Sequence, residues 1–407
     1  VRPANLLACK LVLTCCYFAQ GASYGLAFYV LMPTLAADGV ELEAQVGVIS
    51  VAAVPWLFKL VWGPLLDRAG ARARDPRRWI AAGLLLMAIT AGIAACMLRE
   101  HVGLAWLALP WFLHNVSMSL SDVAADAFAL DRMPARQRGS ANGWMLAGHH
   151  VGAEGLGGLV LGSLAAQNGL AFAVGIDATL LAVVCLVPLV LVRPEPSSRT
   201  SGVSLRIVLD ISRSRWTWPV LLLAAVVMAP DVFTSALSGA FWLHLQWDPS
   251  DVSRLIPKAA LIGALAGYVF AAATVDRLGH AHACALGSIG MGGIWLMFSW
   301  LEPWWGMSAV VQGMILAQGL TTALFGVALH ALLMDAVVPS VRATHFVLLT
   351  SLLNLPRLYA AQFAPSGLAM WGFAGSFAVA GVTQVSLMVL VLYVGKMTTT
   401  YAVSHPA

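Results

Sequence analysis

Asp67-Arg68-Ala69-Gly70 closes one long apolar run, and Asp276-Arg277-Leu278-Gly279 closes another about half a chain later. A second pair of marks repeats at nearly the same offset. Asp131 and Arg138 follow one apolar segment, and Asp335 and Arg342, with the same spacing, follow another. Two near-equal offsets mean that each half carries the same order of segments, so the chain reads as a duplication.

Composition says what was duplicated. Hydrophobic residues make up 60% of the 407 residues and charged residues only 10%, a balance outside that of soluble domains. About 20 apolar residues span the hydrocarbon core as a helix. Six such runs fall in each half: 9–36, 42–66, 79–98, 102–130, 140–166 and 169–192, then 217–246, 251–274, 281–300, 304–334, 341–365 and 368–395. The expected fold is an all-α membrane protein of twelve transmembrane helices, arranged as two pseudo-symmetric six-helix bundles. The bundles occupy 1–192 and 216–407, and a polar linker, 193–215, separates them.

Lys and Arg collect in cytoplasmic loops. Here they crowd into the loops after the second and fourth runs (Arg68, Arg72, Arg74, Arg77 and Arg78; Arg132, Arg136 and Arg138), the linker and the termini. Arg277 and Arg342 follow the eighth and tenth runs on the same side, and only Lys59, Arg99, Arg254, Lys258 and Arg357 lie elsewhere. Both termini are therefore expected in the cytoplasm. Arg2 and Lys10 are followed by an apolar run too long for a signal-peptide core, which reads as a retained first helix. The linker ends its preceding helix at Pro194 and Pro196, and Leu205, Val208 and Leu209 against Arg206, Asp210 and Arg213 fit either a short surface helix or plain linker. Six cysteines without ligand spacing indicate neither a disulfide framework nor a metal site. The net charge of +4 is met by anionic lipid, so no nucleic-acid partner is expected. Trp247, Trp304 and Trp305 at one edge, with Trp79, Trp216 and Trp218 at the other, read as an interfacial belt.

Six plus six helices, a central linker and Asp-Arg-x-Gly turns after the second and eighth helices resemble the major facilitator superfamily. Gly63, Asp67, Arg68, Gly70, Arg72 and Arg74 carry the likeness at the first turn. A narrower resemblance runs along the whole chain, to the branch of AmpG-type muropeptide permeases, acetyl-coenzyme A transporters and certain siderophore importers. It rests on Phe58-Lys59-Leu60-Val61-Trp62-Gly63-Pro64-Leu65-Leu66-Asp67-Arg68, on Asp122-Val123-Ala124-Ala125-Asp126-Ala127 with Arg138-Gly139, on Pro230-Asp231 and Lys258, and on the stretch from Ala343-Thr344-His345 to Arg357. The resemblance implies a bacterial inner-membrane transporter of a muropeptide-like solute. A gating latch of Gly63, Asp67, Arg68, Gly70, Asp131, Arg138, Asp276 and Arg277 is expected where carboxylates at helix ends meet arginines and neighbouring helix termini.

Embedded charges mark candidate sites, because an ion near the bilayer centre costs about 2.5–3.5 kcal/mol and persists where it is paired or wet. At 1.5 Å per residue, Lys59 lies roughly 12 Å inside the edge set by Asp67, with Asp126 and Asp122 roughly 8 and 14 Å inside. Lys59 is expected to pair with one of these carboxylates, either as a protonation switch or as a static bridge. Glu154, with no obvious basic partner in sequence, joins them as a proton-coupling candidate. His149 and His150, one turn earlier, are candidates for substrate binding or for packing. Asp177 is a lesser candidate. Asp231 and Arg357 fall at similar depth, about 22 Å from one edge, and with Lys258 form a candidate site for an anionic solute. Pro33, Pro55, Pro64, Pro230 and Pro356 break helical ladders, and Gly152, Gly155, Gly157 and Gly158 permit close helix approach.

The expected activity is proton-coupled import of a bulky polar or anionic solute by alternating access, by a monomer in the bilayer. No catalytic residue, metal or cofactor is expected, the proton being the coupling ion. A siderophore or other anionic cargo is the alternative, and beyond it a non-transporting receptor. A membrane enzyme using Asp122, Asp126 and His150 ranks lower, because no nucleophile elbow or cofactor loop accompanies them.

Overall fold

The computed structural model describes residues 3–57, 59, 61–62, 75–100, 103–133, 138–193, 217–337 and 342–404. Each of the twelve apolar runs is helical over most of its described residues, and no strand occurs among them. In lipid every backbone N–H and C=O needs an internal partner, which a helix supplies along its own length.

The helices are α1 (Leu6–Ala37), α2 (Leu42–Leu57, with Lys59 and Trp62 continuing it), α3 (Pro76–Arg99), α4 (Leu104–Arg132), α5 (138–168) and α6 (Leu170–Leu191). There follow α7 (Trp218–His244), α8 (Pro249–Leu278), α9 (His280–Trp300), α10 (Ser308–Asp335), α11 (342–363) and α12 (Ala364–Ser404). Among the described residues, eight helical stretches are long and apolar enough to cross a membrane, α11 and α12 counting as one. Helices α2, α4 and α5 fall outside that set, α4 and α5 carrying buried polar groups such as Asn115, Asp122 and Glu154. This is an integral membrane protein, and the three helices outside that set, α2 for its short described length, hold most of its candidate site.

The chain divides into two compact units. One contains Val1–Asp38, Val51–Gly202 and Trp247–Lys258; the other contains Gly39–Ser50, Val203–Gln246 and Ala259–Ala407. The division at the linker expected from sequence is thus modified by two exchanged segments, 39–50 and 247–258. Contacts explain the exchange: Pro257 and Ser253 of α8 lie against Gly158 and Gly162 of α5, while Ser50 of α2 donates to the Arg357 carbonyl of α11 at 3.3 Å.

In the first unit Val12, Leu13 and Cys16 of α1 pack with Ile80, Leu84 and Met87 of α3, Ala124 and Phe128 of α4 and Leu181 of α6. The start of α3 is set by Asp75, whose side chain accepts from the Arg77 amide at 3.2 Å, followed by Pro76 in the first turn. Arg77 is itself buried. Its guanidinium grips Asp75 through Nε at 3.0 and 3.1 Å and donates to the Val192 carbonyl at the end of α6. Counted from sequence as one more loop cation, Arg77 is in fact a clamp between two helix ends.

In the second unit Phe241 of α7 touches the rings of Phe298, Trp305, Phe373 and Phe377 at centroid separations of 5.0–5.5 Å. Trp305 donates its indole N–H to the Phe298 carbonyl at 2.9 Å and is 2% exposed. It is a core plug and not, as expected, a belt residue; Trp304 and Trp218 remain exposed. Gly279 separates α8 from α9 at φ +77°, a conformation only glycine adopts without strain, which accounts for the glycine of the second Asp-Arg-x-Gly turn. The linker, including its expected surface helix at 205–213, lies outside the described residues apart from Arg193.

Candidate functional site

The polar face of α4 is built by helical spacing. Asn115, Ser119, Asp122 and Asp126 recur every three or four residues, so they share one side of the helix. Trp56, Lys59 and Trp62 of α2 do the same. Trp56 donates to Asn115 at 3.2 Å, Trp62 donates to Ser119 at 2.9 Å, and Lys59 forms an ion pair with Asp122. Lys59 is 8% exposed and Asp122 5%, and the Lys59 ammonium also sits 4.6 Å from the centre of the Trp56 ring. From α1, Tyr17 lies within electrostatic range of both Asp122 and Asp126. Of the two carboxylates offered by sequence, Asp122 takes the lysine; Asp126 stands one turn on, half-buried. Tyr17 is not anticipated from sequence, since nothing in its context distinguishes it from a packing tyrosine.

Helices α1 and α5 cross at backbone contact. A Cβ on Gly21 would run into the His149 carbonyl, one on Gly25 into that of Ala153, and one on Gly152 into that of Phe18. The spacings Gly21-x-x-x-Gly25 and Gly148-x-x-x-Gly152 are the sequence signal for this crossing, which hydropathy alone does not bring out. Beside this crossing both helices widen into π turns, Ala27–Leu31 in α1 and Val151–Val160 in α5. Such turns recur at functional sites, where the extra residue redirects a side chain. The two are joined: Tyr29 in the first donates to Glu154 in the second at 3.3 Å. His150 Nδ1 lies 3.3 Å from both Glu154 oxygens, so Glu154 has a partner after all. His149 packs edge-on against His150, ring centroids 5.7 Å apart, and on Tyr24 at 5.6 Å.

Asp177 of α6 is 2% exposed. Its Oδ2 accepts from Ser23 of α1 at 2.7 Å, while Oδ1 has no hydrogen-bond partner among the described residues.

In the second unit Asp231 and Arg357 each follow a proline at a helix break. Helix α7 stops at Val226 and restarts at Ala229–Ala236 with Pro230 and Asp231 in its first turn. Helix α11 stops at Leu352 and restarts at Pro356–Tyr359. Proline has no N–H for the ladder, which frees the carbonyl four residues earlier. The Tyr359 hydroxyl donates to the Ala225 carbonyl at 2.9 Å, tying one break to the other. Arg357 is near enough to act electrostatically on Asp231. Lys258, expected beside them, is exposed and belongs to the first unit.

Of the latch residues, Gly63, Asp67, Arg68 and Gly70 lie outside the described residues. Asp131 is half-buried in the last turn of α4 and Arg277 is exposed in the last turn of α8. Arg138 begins α5 and Asp276 lies near the end of α8, placed by backbone alone. Asp335, at the repeat position of Asp131, meets His280 at 2.5 Å.

This architecture is that of a secondary transporter, and the family model of the Major Facilitator Superfamily matches residues 13–248, more than half of the chain. The chain belongs to that superfamily. It is 26% identical over 359 residues to the anhydromuropeptide permease of Escherichia coli (strain K12), covering 85% of this chain and 72% of the permease. A mutant of the nucleoside transporter NupG superposes with a TM-score of 0.72 at 13% identity, over 96% of this chain and 99% of that one. A bacterial homolog of the human lysosomal transporter Spinster, inward-facing and unoccupied, gives 0.64 at 14% identity over the whole of both chains. At such identities these structures speak for the fold alone.

Proposed function

We propose that the protein imports a bulky polar solute of the muropeptide class across a bacterial inner membrane, driven by the proton gradient, with both termini in the cytoplasm. The observation that carries the proton coupling is the buried Lys59–Asp122 pair with a second carboxylate, Asp126, one turn away. Three groups sharing two negative charges and one positive leave room for one proton. Protonation of the Asp122 and Asp126 dyad releases Lys59; proton departure restores the pair. The cycle thereby gains two states that differ in the bonding of α2 to α4, which is what a coupling element requires.

The cargo assignment rests on the 26% identity to a permease named for anhydromuropeptides. His150 and Glu154 on α5, and Asp231 and Arg357 between broken helices, supply the polar groups that such a solute would need. Prolines at the two breaks place unwound backbone beside the charges, as in transporter binding sites generally. The latch residues then serve the opening and closing of the cytoplasmic side.

The test is uptake of labelled anhydromuropeptide by proteoliposomes under an inward proton gradient. Accumulation above the external concentration that collapses on adding a protonophore is expected. Equal uptake with and without the gradient would leave transport standing and remove the coupling.

A further inference from the structure

Opposite charges this deep in a membrane protein normally close on each other, because the low dielectric strengthens their attraction and nothing else solvates them. Lys59 and Asp122 do so. Asp231 and Arg357 do not. Arg357 acts electrostatically on Asp231, yet among the described contacts no ion pair joins them, and both side chains are only partly covered. The frame fixes the backbone of both residues. Asp231 is fixed in the first turn after Pro230, where the helix dipole favours a carboxylate. Arg357 follows Pro356, its carbonyl accepts from Ser50, and Ser50 is in turn held by Gln362 Nε2 at 2.8 Å. The Tyr359 hydroxyl on the Ala225 carbonyl locks the two breaks together. An anion and a cation on fixed backbone positions, not closed on each other, are complementary to a ligand that carries both charges in the reverse order.

We infer that Asp231 and Arg357 form a receptor for a zwitterionic head group, Asp231 taking an ammonium and Arg357 a carboxylate from the peptide or amino-acid portion of the transported solute. This rests on the transport reading above and narrows its cargo. A purely anionic solute would satisfy Arg357 and be repelled by Asp231, and a neutral sugar would leave both charges unanswered. A zwitterion answers both, and each charge-assisted contact adds discrimination that a neutral ligand lacks.

The probes are trialanine, N-acetyl-trialanine and trialanine amide, which carry both charges, the carboxylate alone and the ammonium alone. Their affinities are read by thermal stabilisation of the purified full-length protein. Trialanine is expected to bind at least about tenfold more tightly than either derivative. With Asp231→Asn the penalty for N-acetylation should vanish and that for amidation persist; with Arg357→Gln the reverse. Equal affinities for the three peptides, no binding of trialanine, or unchanged discrimination in both variants would overturn the proposal. Should the variants fail to fold, the three peptides on the unaltered protein decide it alone. Anhydromuropeptide uptake is measured on the same preparation. Uptake without peptide discrimination would remove the head-group receptor and leave transport intact, whereas discrimination without uptake would remove the transport reading.

Discussion

Lys59 of α2 and Asp122 of α4 form a buried ion pair, roofed by the Trp56 ring and with Tyr17 of α1 in electrostatic range. Removing one member of such a pair leaves the other charged and unsolvated, at a cost of about 3–5 kcal/mol, whereas removing both is far milder. Lys59→Met should therefore lower the thermal unfolding midpoint in detergent sharply. The double change Lys59→Met with Asp122→Asn should recover at least half of the loss. If the single change is as stable as the parent, the pair contributes nothing to the fold.

The crossing of α1 and α5 predicts a contrast among glycines. Gly21→Val and Gly25→Val drive a side chain into the carbonyls of His149 and Ala153, and backbone cannot give way as a flexible side chain can. Overpacking of this kind costs at least about 1–3 kcal/mol. At Gly143 on the same α5 an added methyl would meet nothing within 4 Å, so Gly143→Ala should be neutral or slightly stabilising. Yield and melting temperature of the three variants check this directly.

Arg77 and Arg78 are adjacent and chemically identical, yet only Arg77 is buried. Arg77→Lys keeps the charge and loses the fork that holds Asp75 and the Val192 carbonyl together. A loss of about 2–3 kcal/mol is expected, against less than about 0.5 kcal/mol for Arg78→Ala. Equal tolerance of the two would mean that both serve only to orient the chain.

Tyr29 gives Glu154 a hydroxyl across the two π turns. Tyr29→Phe should cost about 1.5–3 kcal/mol if Glu154 is charged, the value of a hydrogen bond to an ion, and about 1 kcal/mol if it is neutral. Melting temperatures of Tyr29→Phe, Glu154→Gln and the double variant give the coupling between them. A coupling of zero would show that the 3.3 Å contact carries no energy.

The twelve helices are legible in the sequence because hydropathy needs no knowledge of partners, and the lysine and aspartates of the first unit stand out because charge in an apolar run is costly. Which carboxylate takes Lys59 is not legible. That choice depends on how α2 and α4 are turned toward each other, and both Asp122 and Asp126 lie on the same face of α4. Glu154 looks unpartnered in sequence although His150 stands at the ordinary four-residue helical spacing, because a histidine is not counted among the cations and Tyr29 reaches it from another helix, which no spacing within α5 reveals. Arg77 misleads for a different reason: counting loop cations gives every arginine the same meaning, while only local geometry separates a clamp from a solvated charge. Trp305 shows the same blindness, since a tryptophan in a loop at the edge of a helix can face headgroups or fold back into a ring cluster. The unclosed relation of Asp231 to Arg357 is beyond any sequence signal; only their shared position after proline hints that the two breaks belong together.

The central claim is that the Lys59–Asp122 pair couples proton movement to transport. Its most direct test compares Asp122→Asn with the parent in proteoliposomes, measuring labelled anhydromuropeptide both under an inward proton gradient and in counterflow without one. The account predicts that Asp122→Asn loses accumulation, at least about tenfold, while retaining counterflow exchange. Accumulation by Asp122→Asn at the parent level, still abolished by protonophore, would contradict it.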